Sequence, residues 1–374
     1  MQPETPTLCL AVPSLGGRGS SVVGVSLADW LRRSGFRIRL CHHEPVSEPR
    51  DDTFVITRQQ ATQAGQFLDA DRAFTSPLDI GNQFLRAHAQ SPFDLLHLHS
   101  LPIFGVPAYL LKQLRGVPYV VTLHGSEVLN PHLMEGHLEF NRELLRNAAA
   151  VTCVSRNLAD ALQRKLPDLP PAEVIYNFLR PGLSRSHPTR QRPADRFLHV
   201  STMRDVKRPE LMLRAFALVR ERRPGARLRI VTSRLGFERA TALLERFPYR
   251  DAVTVLEGEN DLALLEREYL EGTAFILTSR FESFGLVILE ALAHGMPVVA
   301  PAVGGIPEVL GERWPLLVHD TDAPSAYADQ MLAACAEADA GTLLAQADAI
   351  LDRFEPLRVM QQYVRIYRRA LASV

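Results

Sequence analysis

The chain has 374 residues, 46% of them hydrophobic and 22% charged, and its 42 basic and 42 acidic residues cancel. A general nucleic-acid or anionic-membrane binder carries a basic excess, so that balance excludes both classes. The length exceeds what one hydrophobic core usually serves, and two domains are expected.

Strand and helix signals alternate from the start. "TLCLAVP" reads as a strand running into "SLGGRGSS", and "VVGVSLADWLRRSGF" has helical spacing closed by Gly35. "RIRLCHH" and "FDLLHLH" read as strands, "VPAYLLKQLRG" as a helix, "PYVVTLHG" as a strand, "EFNRELLRNAA" as a helix and "AVTCVS" as a strand. Residues 180–195 are polar, Pro-rich and aperiodic, as in a linker. The alternation then restarts with "RFLHVST", "RPELMLRAFALVRERRPG", "RLRIVTS" and "ATALLERF". It continues with the strands "AVTVLEG", "TAFILTS" and "PVVAPAV", and ends on an amphipathic helix, "PLRVMQQYVRIYRRALASV". The expected architecture is α/β: two doubly wound parallel-sheet domains with a cleft between them, at 1–180 and 181–355, the final helix 356–374 completing the first.

No apolar run approaches the roughly 20 residues of a membrane span, and "MQPETPTLCLAVPS" has neither a basic start nor a long apolar region. The expectation is a cytoplasmic protein that engages neither membrane nor nucleic acid. Cys9, Cys41, Cys153 and Cys335 show no zinc-type spacing and are expected to be buried, reduced thiols.

Ligands of parallel sheets sit at the carboxyl ends of the strands, which selects the loops to read. In "SLGGRG", Gly16 and Gly17 let backbone amides approach a phosphate, although the spacing matches neither dinucleotide nor Walker loops and a purely geometric turn stays open. In "STMRDVKRP", Arg204, Lys207 and Arg208 follow a strand. The chain has three lysines, at 112, 165 and 207, against 39 arginines, so a lysine at 207 is informative. Together these cations suit a diphosphate; a solvated charged face is the plain alternative. In "RFESFGLVILEALAHGMPVVA", Glu282 and Glu290 stand eight positions apart (290 − 282). A helix beginning near Gly285 puts Glu282 in the preceding loop and Glu290 inside the helix. The amides from Ser283 through Phe284 and Gly285 to Leu286 then form its positive end. Two carboxylates around such a helix start suit a nucleotide sugar. In "HLHS" and "TLHGSE", His97 and His99 are assigned to opposite strand faces and read as structural, whereas His124 stands at a strand end where it can donate to substrate. His294 and His319 have no partner legible in the sequence.

These residues converge on a family. "ESFGLVILE" is similar to the E-x7-E signature of family 4 retaining glycosyltransferases of the GT-B fold, two Rossmann-like domains facing across a cleft, and "ALAHGMPVVAPAVGGIPEV" resembles the segment that follows it there. Within that family, "PSLGGRG", "VTLHGSEV", "VIYNF" and "STMRDVKRPELML" resemble the members that glycosylate L-malate at the start of bacillithiol biosynthesis. The resemblance implies transfer of N-acetylglucosamine from a UDP-sugar donor, UDP-N-acetylglucosamine, to the hydroxyl of a small dicarboxylate acceptor, L-malate, with no cofactor and no metal. It implies that Glu290 binds the ribose hydroxyls, that Glu282 and the amides of 283–286 hold sugar and phosphates, and that Arg204 and Lys207 neutralise the diphosphate. It further implies that His124 contacts the transferred sugar, that Gly16 and Gly17 approach phosphate and acceptor, and that the base lies near "LEGEN". Ser14, Arg18, Ser100 and Thr122 are the acceptor-side candidates. "TSRLGFE" departs from the usual Gly-Asp-Gly-Pro turn, Ser100 stands where an aromatic is usual, and Arg18 where a small residue is usual. The same fold with another donor or acceptor, such as inositol, and a non-transferase UDP-sugar enzyme such as an epimerase are the rival readings. Self-association is left open.

Overall fold

The computed structural model describes residues 5–14, 19–42, 53–55, 77–183, 185–186 and 195–373. The chain divides into two compact units, 1–176 with 357–374, and 177–356. No helix among the described residues is long and apolar enough to cross a membrane.

The first unit contains β1 (Thr7–Val12), β2 (Arg37–His42), β3 (Thr53–Val55), β4 (Leu95–Leu98), β5 (Tyr119–Leu123), β6 (Ala150–Cys153) and β7 (Glu173–Val174). They form one parallel sheet in the order β3-β2-β1-β4-β5-β6-β7. Its central strands are apolar runs buried along their length, which is what helices on both faces require. The second unit contains β8 (Arg196–Val200), β9 (Arg227–Thr232), β10 (Val253–Glu257), β11 (Ala274–Ile276), β12 (Val298–Pro301) and β13 (Leu317–Val318), in the order β10-β9-β8-β11-β12-β13, again parallel. In each sheet the strand order reverses beside the first strand, between β1 and β4 and between β8 and β11. Such a switch point opens a crevice at the carboxyl ends of the strands.

The helix Pro356–Ala372 buries Val359, Met360, Tyr363, Ile366, Tyr367 and Ala370, a 3.6-residue stripe, and belongs to the first unit. The helix read as "VPAYLLKQLRG" starts earlier than its periodicity suggests, at Leu101, and runs through Pro107 to Arg115. Position 180 onward is not a free linker where it is described: Leu183 is buried, the Ser186 amide donates to the Ala293 carbonyl, and Arg180 pairs with Glu290. The four cysteines are buried and unbridged, and burial pushes the Cys9 and Cys153 thiols up to about 12.

Candidate active site

At the switch point of the second unit, two loops are stitched together by backbone. The Arg280 amide donates to the Val206 carbonyl (2.7 Å), and the Thr278 hydroxyl donates to the Lys207 carbonyl (2.8 Å). These bonds hold the loop after β8 against the loop after β11. The result is an ion pair between Lys207 Nζ and Glu282 Oε2 at 2.5 Å, both side chains mostly shielded from water. Gly304 fixes the Glu282 backbone from the other side. It sits at φ 57, and a Cβ there would meet the Glu282 carbonyl oxygen at 2.1 Å, so no other residue fits this approach. The neighbouring Gly305 amide donates to that same carbonyl.

The helix Leu286–Ala293 follows directly, with Gly285 as its N-cap at φ 85 and no side-chain cap. Its first amides have no partner within the helix and aim the positive end of its dipole outward. Ser283 and Phe284 are both buried, and the Phe284 ring packs edge-on against Phe354. Phe284 therefore offers a ligand only its backbone.

Glu290 lies inside that helix and is 4% exposed. Its carboxylate forms an ion pair with Arg180 (Nε to Oε1 3.0 Å) and accepts from Arg180 Nη2 (3.5 Å) and from the Tyr269 hydroxyl (2.8 Å). A buried carboxylate without such partners would be prohibitively unstable, and the sequence did not identify them. Arg180 falls in the segment read as a linker, and Tyr269 lies in the helix Leu262–Glu271. The signal that could have found Arg180 is a lone cation in "NFLRPG". His294, left without a partner by the sequence, stacks on Tyr269 (centroids 5.3 Å apart, interplanar angle 14°) and bonds the Glu290 carbonyl through Nδ1.

Arg204 is exposed, and among the described residues its side chain bonds Thr202, through Nε at 3.2 Å. The loop that carries it is set by His199, which the sequence also missed. A carbonyl can only accept, so His199 Nδ1–H donates to the Ile276 carbonyl (2.8 Å). Nε2 then accepts from the Ser201 hydroxyl (2.8 Å), which accepts from the Met203 amide (3.0 Å). Burial lowers the His199 pKa to about 4, so this relay stays neutral. Arg208 is occupied elsewhere: at φ 53 it donates to the Thr321 carbonyl and pairs with Asp322. "LEGEN" begins with the last two residues of β10 and leaves the strand at Gly258, whose amide donates to the Thr232 carbonyl.

At the switch point of the first unit the histidines are neutral. His97 and His99 do not point to opposite faces. Residues two apart on a strand share a face, and their rings lie 4.3 Å apart. His97 bonds Tyr367 Oη (2.8 Å) and Thr122 Oγ1 (2.7 Å), and Thr122 Oγ1 also meets Thr152 Oγ1 (2.7 Å) and Tyr363 Oη (3.3 Å). Thr122 is fully buried with its hydroxyl shared three ways, so it supports the site rather than presenting a group to a ligand. His99 Nδ1 bonds His124 Nε2 at 3.0 Å. Burial lowers the pKa of His97 and His124 to about 3 and holds that of His99 well below the ordinary imidazole value, so all three imidazoles are neutral.

Gly125 follows His124 with φ 131, and its amide donates to the buried Glu127 carboxylate (3.1 Å), whose pKa burial raises. Ser14 is buried, its hydroxyl 3.1 Å from that of Ser21 in the helix Gly19–Arg33. Ser100 is the N-cap of the helix Leu101–Arg115 without a side-chain cap bond. Gly16, Gly17 and Arg18 lie outside the described residues.

Known proteins now bear on this geometry. Residues 194–337 match the glycosyl transferases group 1, and residues 18–177 match the glycosyl transferase 4-like domain. A D-inositol 3-phosphate glycosyltransferase from Saccharomonospora viridis is 30% identical over 333 residues, covering 80% of this chain and 75% of that protein. The chain belongs to the GT-B glycosyltransferases. It is also similar to the N-acetyl-alpha-D-glucosaminyl L-malate synthase of Bacillus anthracis, 26% identical over 314 residues and 78% of each chain. Among solved structures, Anabaena HepE in complex with UDP and glucose shares the fold of this glycosyltransferase with a TM-score of 0.76, at 18% identity over 99% of this chain and all of that one.

Proposed function

We propose that this glycosyltransferase moves N-acetylglucosamine from UDP-N-acetylglucosamine to the hydroxyl of L-malate, with retention at the anomeric carbon. The observation that carries the donor half is the Lys207–Glu282 pair set beside the uncapped start of the helix Leu286–Ala293. Lysine has three N–H donors and Glu282 takes one, so Lys207 can meet a phosphate without leaving its partner. Arg204 supplies a cation with no ion pair among the described residues. Charge grows on the departing diphosphate in the transition state, where prearranged cations and amides stabilise it most. With no metal called for, the acceptor hydroxyl attacks on the leaving-group side and passes its proton to the departing phosphate.

Glu290 is assigned to the ribose hydroxyls. A carboxylate offers about four acceptor sites, and Arg180 and Tyr269 do not exhaust them. His124 is assigned to the transferred sugar, as a neutral group that adds no charge to compete with the diphosphate. Ser14, Ser100, Arg18 and the amides of Gly16 and Gly17 remain the acceptor side.

Similarity to the malate synthase supports the acceptor; similarity to the inositol phosphate glycosyltransferases favours a second reading, transfer to D-inositol 3-phosphate. Release of UDP from UDP-N-acetylglucosamine decides between them. UDP release that depends on L-malate is the expected result. Dependence on inositol 3-phosphate instead overturns the acceptor, and release with neither, or only with another nucleotide sugar, overturns the donor.

A further inference from the structure

We infer that His99 is a positioning residue: its Nδ1–H donates to His124 Nε2 and thereby fixes His124 in the tautomer that presents Nδ1–H as a donor. The inference rests on the assignment of His124 to the sugar made above.

The direction of the bond follows from an atom that has no partner. His99 is fully buried, and its Nε2 has no hydrogen bond. Two neutral imidazoles joined Nδ1 to Nε2 share one proton between those atoms, so either His99 or His124 donates. If His124 donated, His99 would carry its own proton on Nε2, a buried N–H with no acceptor. If His99 donates, Nε2 is left as a lone pair, the milder fault; orphaned buried N–H groups are the rarer kind. The donating form of His99 requires His124 to accept at Nε2. A neutral His124 then carries its proton on Nδ1. That nitrogen makes no bond among the described residues, and the ring is partly exposed.

The surroundings hold His99 in this role. His97 packs 4.3 Å from its ring and is itself fixed at both nitrogens by Tyr367 and Thr122. On another side the helix Gly19–Arg33 approaches through Gly24. A Cβ at 24 would lie 3.0 Å from His99 Cγ and Cδ2 and 2.4 Å from Val12 Cγ1. Glycine inside a helix is unfavourable by itself, and this approach is the reason for it here. Turned over about χ2, the ring would set Cδ2 where Nδ1 now stands and lose the bond to His124. A neutral donor of set tautomer suits a sugar hydroxyl or amide oxygen.

The test is nitrogen NMR of protein labelled with 15N-histidine, with His124 assigned by its loss in His124→Gln. In wild type, His124 is expected to be protonated on Nδ1. His99→Asn, whose amide N–H replaces the Nδ1 donor, is expected to keep that tautomer. His99→Phe is expected to release it toward the Nε2–H form and to lower kcat/KM for UDP-N-acetylglucosamine about two- to tenfold, the worth of one hydrogen bond, with UDP affinity unchanged. A wild-type His124 carrying Nε2–H overturns the inference without any variant. So does a His99→Phe protein whose His124 stays on Nδ1–H. A tautomer that moves while kcat/KM does not keeps the pair and overturns the assignment of His124 to the sugar.

Discussion

Around the ends of β4 and β5 the first unit gathers imidazoles and hydroxyls beside one buried carboxyl, Glu127, with His97, His99 and His124 held neutral by burial. The second unit gathers full charges at its switch point: Lys207 and Glu282, from the loops after β8 and β11, pair with each other, and Arg180, from the segment before β8, pairs with Glu290 in the helix Leu286–Ala293. Both regions lie at a switch point of the same strand order. The topology thus supplies a crevice and says nothing of its chemistry. In the function proposed above, neutral donors discriminate among hydroxyls, while charges answer a diphosphate whose own charge rises during transfer.

The comparison breaks most sharply at Lys207. Lys207→Ala is expected to lower kcat about hundred- to thousandfold, the scale of one lost transition-state donor, with a smaller effect on KM. Steady-state kinetics check this, and an equal loss in ground-state binding would remove Lys207 from the departing phosphate.

Glu290→Gln keeps the shape and removes the charge. Losing a charge-assisted hydrogen bond of about 1.5–3 kcal/mol should weaken UDP binding roughly ten- to hundredfold by calorimetry. The same change strands Arg180 in a half-buried place, so the melting temperature should fall as well. A lower melting temperature with unchanged UDP affinity would leave Glu290 a purely structural partner of Arg180.

The neutral edge makes the first unit acid-sensitive. The folded-state pKa of His97 and His124 is about 3 against an ordinary 6.5. As pH falls, the unfolded chain takes up these protons first. Stability is therefore intact above about pH 6.5 and is lost progressively between pH 6.5 and 3, each histidine contributing up to about 1.4 kcal/mol per pH unit. Glu127, with its pKa raised by burial, opposes this slope. Denaturant unfolding at a series of pH values checks it, and a flat profile below pH 6.5 would contradict the neutral network.

Tyr367→Phe takes one bond from His97. Its expected cost is about 1 kcal/mol of stability by denaturant unfolding, without effect on UDP affinity. EDTA is expected to change nothing in the rate, because the proposed function gives the part of a metal to Arg204, Lys207 and the helix amides; loss on chelation, restored by magnesium, would refute that.

Much of this was legible in sequence. Alternating strands and helices gave two doubly wound sheets, and the helix start near Gly285 followed from "ESFG". Short-range rules of spacing and burial suffice for that. The partners of Glu290 were not legible, because Arg180 is 110 residues away from it (290 − 180) and pairing across such a separation leaves no periodic trace. The same holds for His97 with Tyr367, 270 positions apart. The shared face of His97 and His99 was in the sequence all along, since a period of two dictates it.

By itself, then, the sequence determined which loops lie at the strand ends and which residue types stand in them, because hydrophobic periodicity is local and strong. Only the tertiary structure decided what those residues do to one another: that Thr122 is buried in a network, that Arg208 is taken by Asp322, and that His124 meets His99. Hydrogen bonds and ion pairs act over a few ångströms in space, and chain separation does not encode that distance.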